Sequence, residues 1–132
     1  MRQRIEVLAP AADPLAPARA ALDDGRSADA LSLLDALSAD VAGPAALSLR
    51  ANALQQAGRA AEAALAWRTA LAQTPEIGAW WAGLGIALEQ SGDPAQALDA
   101  YREAERRGPL EPALADYVRS RSAALTNAGP TR

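Results

Sequence analysis

Any chemistry in this sequence has to come from carboxylates, amides, hydroxyls and guanidinium groups, because its 132 residues include no His and no Cys. That removes the commonest general base, the usual zinc ligands and the Ser–His and Cys–His nucleophile pairs. The chain reads as an interaction protein and not as an enzyme, with no cofactor and no metal. Gly83-Leu84-Gly85 lacks the strand–loop–helix context of a phosphate loop and reads as small residues at a tight helix–helix crossing. Asp23-Asp24, just before Gly25, reads as a solvated helix end, since a metal would need more oxygen ligands. What remains is binding chemistry. Asn52, Gln55 and Gln56 lie three and four residues apart and so share one helix face, as do Ile86, Glu89 and Gln90. Amides both donate to and accept from an extended backbone, and Ile86 offers an apolar floor. Trp80 either packs across a junction near Ala70 or Leu71 or stands out as an aromatic anchor.

The elements that position these residues follow from an internal repeat. Moving back 34 residues takes Trp81 to Leu47, Gly85 to Ala51, Leu88 to Leu54, Gly92 to Gly58, Ala97 to Ala63, Tyr101 to Trp67 and Pro109 to Pro75. The same shift sets Asn52 beside Ile86, Gln55 beside Glu89 and Gln56 beside Gln90. A weaker copy lies upstream, where Gly25 matches Gly58 after a one-residue deletion, with Ala30 and Leu34 following. Each copy is a helical hairpin turned at a glycine. Gly43-Pro44 opens one helix, and Gly92-Asp93-Pro94 combines a breaker, an N-cap and a proline at the first helical position. Trp81 and Tyr101 occupy the two bulky positions, facing each other across one hairpin.

These signals predict an all-α chain. Residues 1–17 form a leader rich in proline, with Pro14 and Pro17 spoiling the start of a first helix over Ala18–Asp24. A second helix runs over Ala28–Ala39, capped by Ser27. The hairpins cover about 18–43, 44–77 and 78–110. A capping helix over 111–126 turns Leu114, Tyr117, Val118 and Leu125 inward and Asp116, Arg119, Ser120 and Ser122 outward. Residues 127–132 read as a disordered tail. Ala is the best helix former, and with no Phe the three Trp and two Tyr are the large fillers of an Ala/Leu core. A formal net charge of −3 argues against nucleic acid, and no apolar run is long enough to span a membrane. The acids gather in the first third and arginines in the last, which is an ordinary solvated surface or a weak field along the stack.

The pattern Trp81, Leu84, Gly85, then Ala97, Tyr101, Ala104 and Pro109 resembles the tetratricopeptide repeat (TPR). The resemblance implies a right-handed solenoid of about three TPR hairpins plus a C-terminal capping helix. It implies a concave groove lined by the first helix of each hairpin. Its groove positions fall on Ser48, Asn52, Gln55 and Gln56, and then on Ala79, Ala82, Ile86, Glu89 and Gln90. Asn52 matches the Asn with which TPR co-chaperones hold a peptide carboxylate, but Ser48, Ala79 and Ala82 stand where that clamp carries basic residues. The run Trp80-Trp81-Ala82-Gly83-Leu84-Gly85, with Ala97–Ala104 and the Tyr- and Arg-bearing stretch Pro112–Arg121, is similar to the C-terminal TPR domain of the mannose-sensitive haemagglutinin (type IV) pilus biogenesis protein. That resemblance implies a peptide-binding scaffold of a bacterial envelope assembly, partnered by a protein or peptide. The location is periplasmic if the chain is an excised domain of an inner-membrane-anchored protein, and otherwise cytoplasmic. A cytochrome c maturation-type TPR that binds an apoprotein C-terminus, and a regulatory or oligomerisation domain of a larger enzyme, are the alternatives.

Overall fold

Three glycines turn the chain at near-equal spacing, and each has left-handed backbone: Gly25 at φ 76°, Gly58 at 79° and Gly92 at 91°. A Cβ added at any of the three would meet nothing, so glycine is required there by conformation alone. The hydrogen bonds repeat too. The amides of Arg26, Arg59 and Asp93 donate to the carbonyls of Ala21, Leu54 and Leu88, each at 2.8 Å, closing the helix end that precedes each glycine.

In the computed structural model, which describes residues 13–37, 41 and 43–128, these turns join the helices into hairpins. Helices α1 (Ala16–Asp23) and α2 (Ser27–Asp35) form the first, α3 (Pro44–Gln56) and α4 (Ala60–Gln73) the second, α5 (Gly78–Gln90) and α6 (Pro94–Arg107) the third. A single helix, α7 (Pro112–Ala128), follows, and no strand occurs among the described residues.

The N-terminal hairpin differs from expectation at three points. Helix α1 begins at Ala16, inside the expected leader, because Pro17 sits in its first turn, where a missing N–H costs nothing. Asp13 steadies that entry by accepting the Leu15 amide and the Arg19 guanidinium, both at 2.9 Å. Ser27 is the first residue of α2 and not its cap; Arg26 holds the cap position without a side-chain bond. The helix stops at Asp35, short of the expected Ala39, and residues 38–40 lie outside the described region, as do 1–12 of the leader. By contrast Asp93 caps α6 as expected, its carboxylate accepting the Gln96 amide at 3.1 Å.

Alanines let the helices approach closely, and the large side chains fill what is left. One core runs from α3 to α7 around Trp67, Leu71, Leu84, Leu88, Tyr101 and Val118. Gly83 and Gly85 occupy the tight crossings anticipated for them. An added Cβ would come within 2.5 Å of the Trp67 ring at Gly83 and 2.6 Å of the Tyr101 ring at Gly85. Tyr101 is fully buried, but its expected counterpart Trp81 is only half-buried. The Trp81 indole N–H donates to the Pro75 carbonyl at 2.8 Å, and the Arg107 guanidinium lies 5.9 Å from its ring centroid. The buried tryptophan is Trp67, one period before Tyr101.

Helix α7 packs on α6 and α5 through Val118, fully buried, with Leu114 and Leu125 half-buried. Ser122, expected outside, is buried instead, and Tyr117, expected inside, is 43% exposed. The Tyr117 ring lies edge-on to Tyr101 of α6 at 6.4 Å and borders Ile86, Glu89 and Gln90 of α5. Asn127 and Ala128 continue the helix, and 129–132 lie outside the described residues.

Candidate binding face

Helices α1, α3, α5 and α7 lie side by side and build one continuous face. Side chains stitch this row at each junction. The Gln56 amide donates to the Leu22 carbonyl of α1 at 2.9 Å, the Gln55 amide donates to the Gly83 carbonyl of α5 at 3.2 Å, and Arg121 of α7 reaches Glu89 of α5.

The row also serves the aromatic core behind it. The Trp67 indole N–H donates to Gln55 Oε1 at 2.9 Å, and the Tyr101 hydroxyl donates to Glu89 Oε1 at 2.9 Å. These are one interaction repeated a period later. A buried aromatic presents a polar tip that must find an acceptor, and in both hairpins the acceptor is the residue twelve positions earlier. Gln55 and Glu89 therefore hold the hairpins together as well as lining the face, a role the spacing alone did not reveal.

The expected groove residues thus divide. Ser48 is 8% exposed, with its hydroxyl donating to the Ala45 carbonyl at 2.7 Å, and Ala82 is 0% exposed. Neither presents a side chain to a ligand, because both point into the packing of the first helices against their neighbours. Gln55, Gln56 and Glu89 are already bonded within the chain. Asn52, Ala79 and Gln90 are exposed and Ile86 is half-buried; Asn52 and Gln90 make no side-chain hydrogen bond to another described residue. Trp80 is no free anchor. It is half-buried across the hairpin junction, its ring 6.4 Å from that of Trp67 and tilted by 45°, and it packs on the core cluster that includes Trp67 and Leu71.

Between α5 and α7 the face deepens into a cleft of about 400 Å³, lined by Ile86, Glu89, Gln90, Tyr117 and Arg121. Arg121 binds Glu89 with both ends of its fork, Nε donating to Oε1 at 3.0 Å and the second nitrogen to Oε2. The Arg121 hydrogen bonds hold the Glu89 carboxyl below the usual glutamate range against the opposing effect of burial, and the Tyr101 hydroxyl adds to the lowering. Burial, with the bond to Glu89, pushes the Tyr101 phenol well above its ordinary value. Tyr117 and Arg121 were not among the residues assigned to the groove. The signal for Arg121 was the period: Glu89 plus one repeat of 34 falls on Ala123 of α7, two residues past Arg121.

Arg50, which the repeat register sets off this face, pairs with Asp35 at 2.7 Å on the opposite side. Among the described residues no group of three His, Cys, Asp or Glu side chains could hold a metal ion, and no helix is long and apolar enough to cross a membrane.

Residues 48–112 match the family described as Tetratricopeptide repeat. No curated protein matches the chain. Among solved structures, the Sgt2 TPR domain from Aspergillus fumigatus is 26% identical with a TM-score of 0.74, the match covering 90% of this chain and 83% of that one. The first TPR of Spaghetti (RPAP3) bound to the HSP90 peptide SRMEEVD is 18% identical with a TM-score of 0.73, covering 86% and 90%. The first TPR domain of human RPAP3 is 18% identical with a TM-score of 0.74, covering 86% and 91%. The architecture is that of a TPR solenoid, with three helical hairpins and a closing helix among the described residues.

Proposed function

We propose that this tetratricopeptide-repeat protein is a non-catalytic interaction module that holds a peptide segment of a protein partner on the face built by α1, α3, α5 and α7. One observation carries the reading: the face keeps exposed amides, Asn52 and Gln90, while Ser48, Gln55, Gln56, Glu89 and Arg121 are tied into the fold. A rigid row with free donors and acceptors on adjacent helices suits a backbone that brings its own unpaired N–H and C=O groups. The related RPAP3 domain bound to an HSP90 peptide supports a peptide as the kind of ligand.

Selection of peptides displayed as a random library, followed by calorimetry on the tightest, tests this. Asn52→Ala with Gln90→Ala should weaken binding by about 1–3 kcal/mol through lost hydrogen bonds while leaving the helical signal unchanged. With no unpaired charge on the exposed amides, affinity should vary little with salt. Unchanged affinity in the double variant, or an affinity that collapses at moderate salt, would move the site to a charged surface.

We further place the module in a bacterial envelope assembly of the pilus type, in the periplasm. This rests on the Trp80–Glu89 run and the Tyr- and Arg-bearing α7. Fractionation of the tagged native protein tests it: recovery in the cytosol would remove that placement and leave the peptide-binding reading standing.

A further inference from the structure

We propose that the cleft between α5 and α7 is a side-chain socket of the peptide-binding face, that it admits one bulky uncharged apolar residue of the bound segment, and that Glu89 sets this choice by occupying Arg121. The inference rests on the peptide-binding reading above and adds what the peptide must carry.

The walls of the cleft are Ile86, half-buried on α5, and the ring of Tyr117, 43% exposed on α7. Tyr117 is fixed from behind by its edge contact with the buried Tyr101 ring. Among the described residues that line the cleft two are charged, Glu89 and Arg121, and they neutralise each other in a two-pronged pair. Their side chains are 20% and 33% exposed. A guest carboxylate would have to displace Glu89 from Arg121, leaving Glu89 partly buried with only the Tyr101 hydroxyl. A guest cation would face Arg121 at close range. Both carry an electrostatic penalty that an apolar guest avoids. An apolar guest instead gains contact with Ile86 and Tyr117, and the exposed Gln90 amide at the rim can bond the guest's backbone.

Glu89 is thus a built-in competitor for the cleft's own cation. Gln in its place keeps an oxygen for the Tyr101 hydroxyl but gives up the charge that holds Arg121. The freed guanidinium then presents its planar fork to a carboxylate from outside.

The probe is the same displayed peptide library, applied in parallel to the unaltered protein, Glu89→Gln, Glu89→Gln with Arg121→Gln, and Tyr117→Ala. Circular dichroism confirms that each variant is folded. The unaltered protein should select peptides with one large apolar residue, and replacing that residue by Ala should weaken binding about tenfold or more. Tyr117→Ala should weaken the same peptides to a similar extent. Glu89→Gln should select Asp or Glu at that position and bind an Asp-bearing peptide about tenfold or more tighter than the unaltered protein does. The double variant should lose that gain. Acidic residues already preferred by the unaltered protein, or the same selection from Glu89→Gln, would overturn the proposal. So would peptides that respond to Asn52→Ala with Gln90→Ala but not to Tyr117→Ala, which would leave the broader reading intact. A library that yields no binder would overturn both.

Discussion

Gly85→Ala should destabilise the protein, reversing the sign that helix propensity alone would give. In a helix interior the exchange gains about 1 kcal/mol, and Gly85 has ordinary helical backbone, so no left-handed strain opposes it. Sterics decide instead. The new methyl would lie 2.6, 2.7 and 3.1 Å from three atoms of the Tyr101 ring. That ring cannot step back easily: it is 0% exposed, its hydroxyl is held by Glu89, and Tyr117 packs on it edge-on. Overpacking in such a site costs about 1–3 kcal/mol beyond what relaxation recovers, and the rigid surroundings favour the upper half of that range. Net of propensity, the loss should be about 1–2 kcal/mol. Urea denaturation followed by circular dichroism reads it directly, with the slope m unchanged. Tyr101→Phe in the same background should return part of the loss, because releasing the hydroxyl lets the ring shift. A Gly85→Ala protein as stable as the original, or more stable, would refute the packing argument.

Tyr101→Ala should cost about 3–5 kcal/mol in urea denaturation, as truncation of a fully buried aromatic does, whereas the half-buried Trp81→Ala should cost about 1–2 kcal/mol; equal losses would mean that Trp81 is core after all. On acidification, the Glu89 contribution is complete above the ordinary glutamate value of 4.5, because Arg121 lowers its folded pKa, and it fades as pH falls through that lowered value. Denaturation midpoints compared at pH 7 and pH 3 should fall further for the unaltered protein than for Glu89→Gln, which shares the other acid-sensitive carboxylates at Asp13, Glu62 and Glu103; equal falls would show that the pair contributes nothing.

The fold was readable from the sequence wherever a residue type has one dominant conformational reason. Gly58 and Gly92 stop helices because few other residues adopt positive φ, and Pro44 and Pro94 start them because they lack an N–H. Helices α3 and α6 accordingly begin where the sequence places them. The first hairpin was less readable because its prolines were weighed as breakers, while Pro17 acts as a helix starter. The orientation of α7 was also obscured. Ser122 is buried and Tyr117 is 43% exposed, the reverse of what the polarity of either side chain indicates. For the candidate face, the period set the first helices of the hairpins side by side, as they are in the structure. It could not tell a side chain free for a ligand from one already bonded, because that depends on which aromatic tips lie behind the face.

The two bonded positions show how much turns on a single atom. Gln55 and Glu89 occupy equivalent places and accept from equivalent aromatics, Trp67 and Tyr101. A glutamine amide keeps a donor in reserve, and Gln55 uses it on the Gly83 carbonyl, tying α3 to α5 without any charge. Glutamate has no donor, so Glu89 cannot make the corresponding bond to the next helix. Its second oxygen and its charge must be met by a donor that the next helix brings, and α7 supplies Arg121. The amide junction is neutral from the start, whereas the carboxylate junction is neutral only while Arg121 stays in place. The cleft between α5 and α7 is therefore the point on the face where one substitution changes the charge offered to a partner without removing the hydrogen bond that anchors Tyr101.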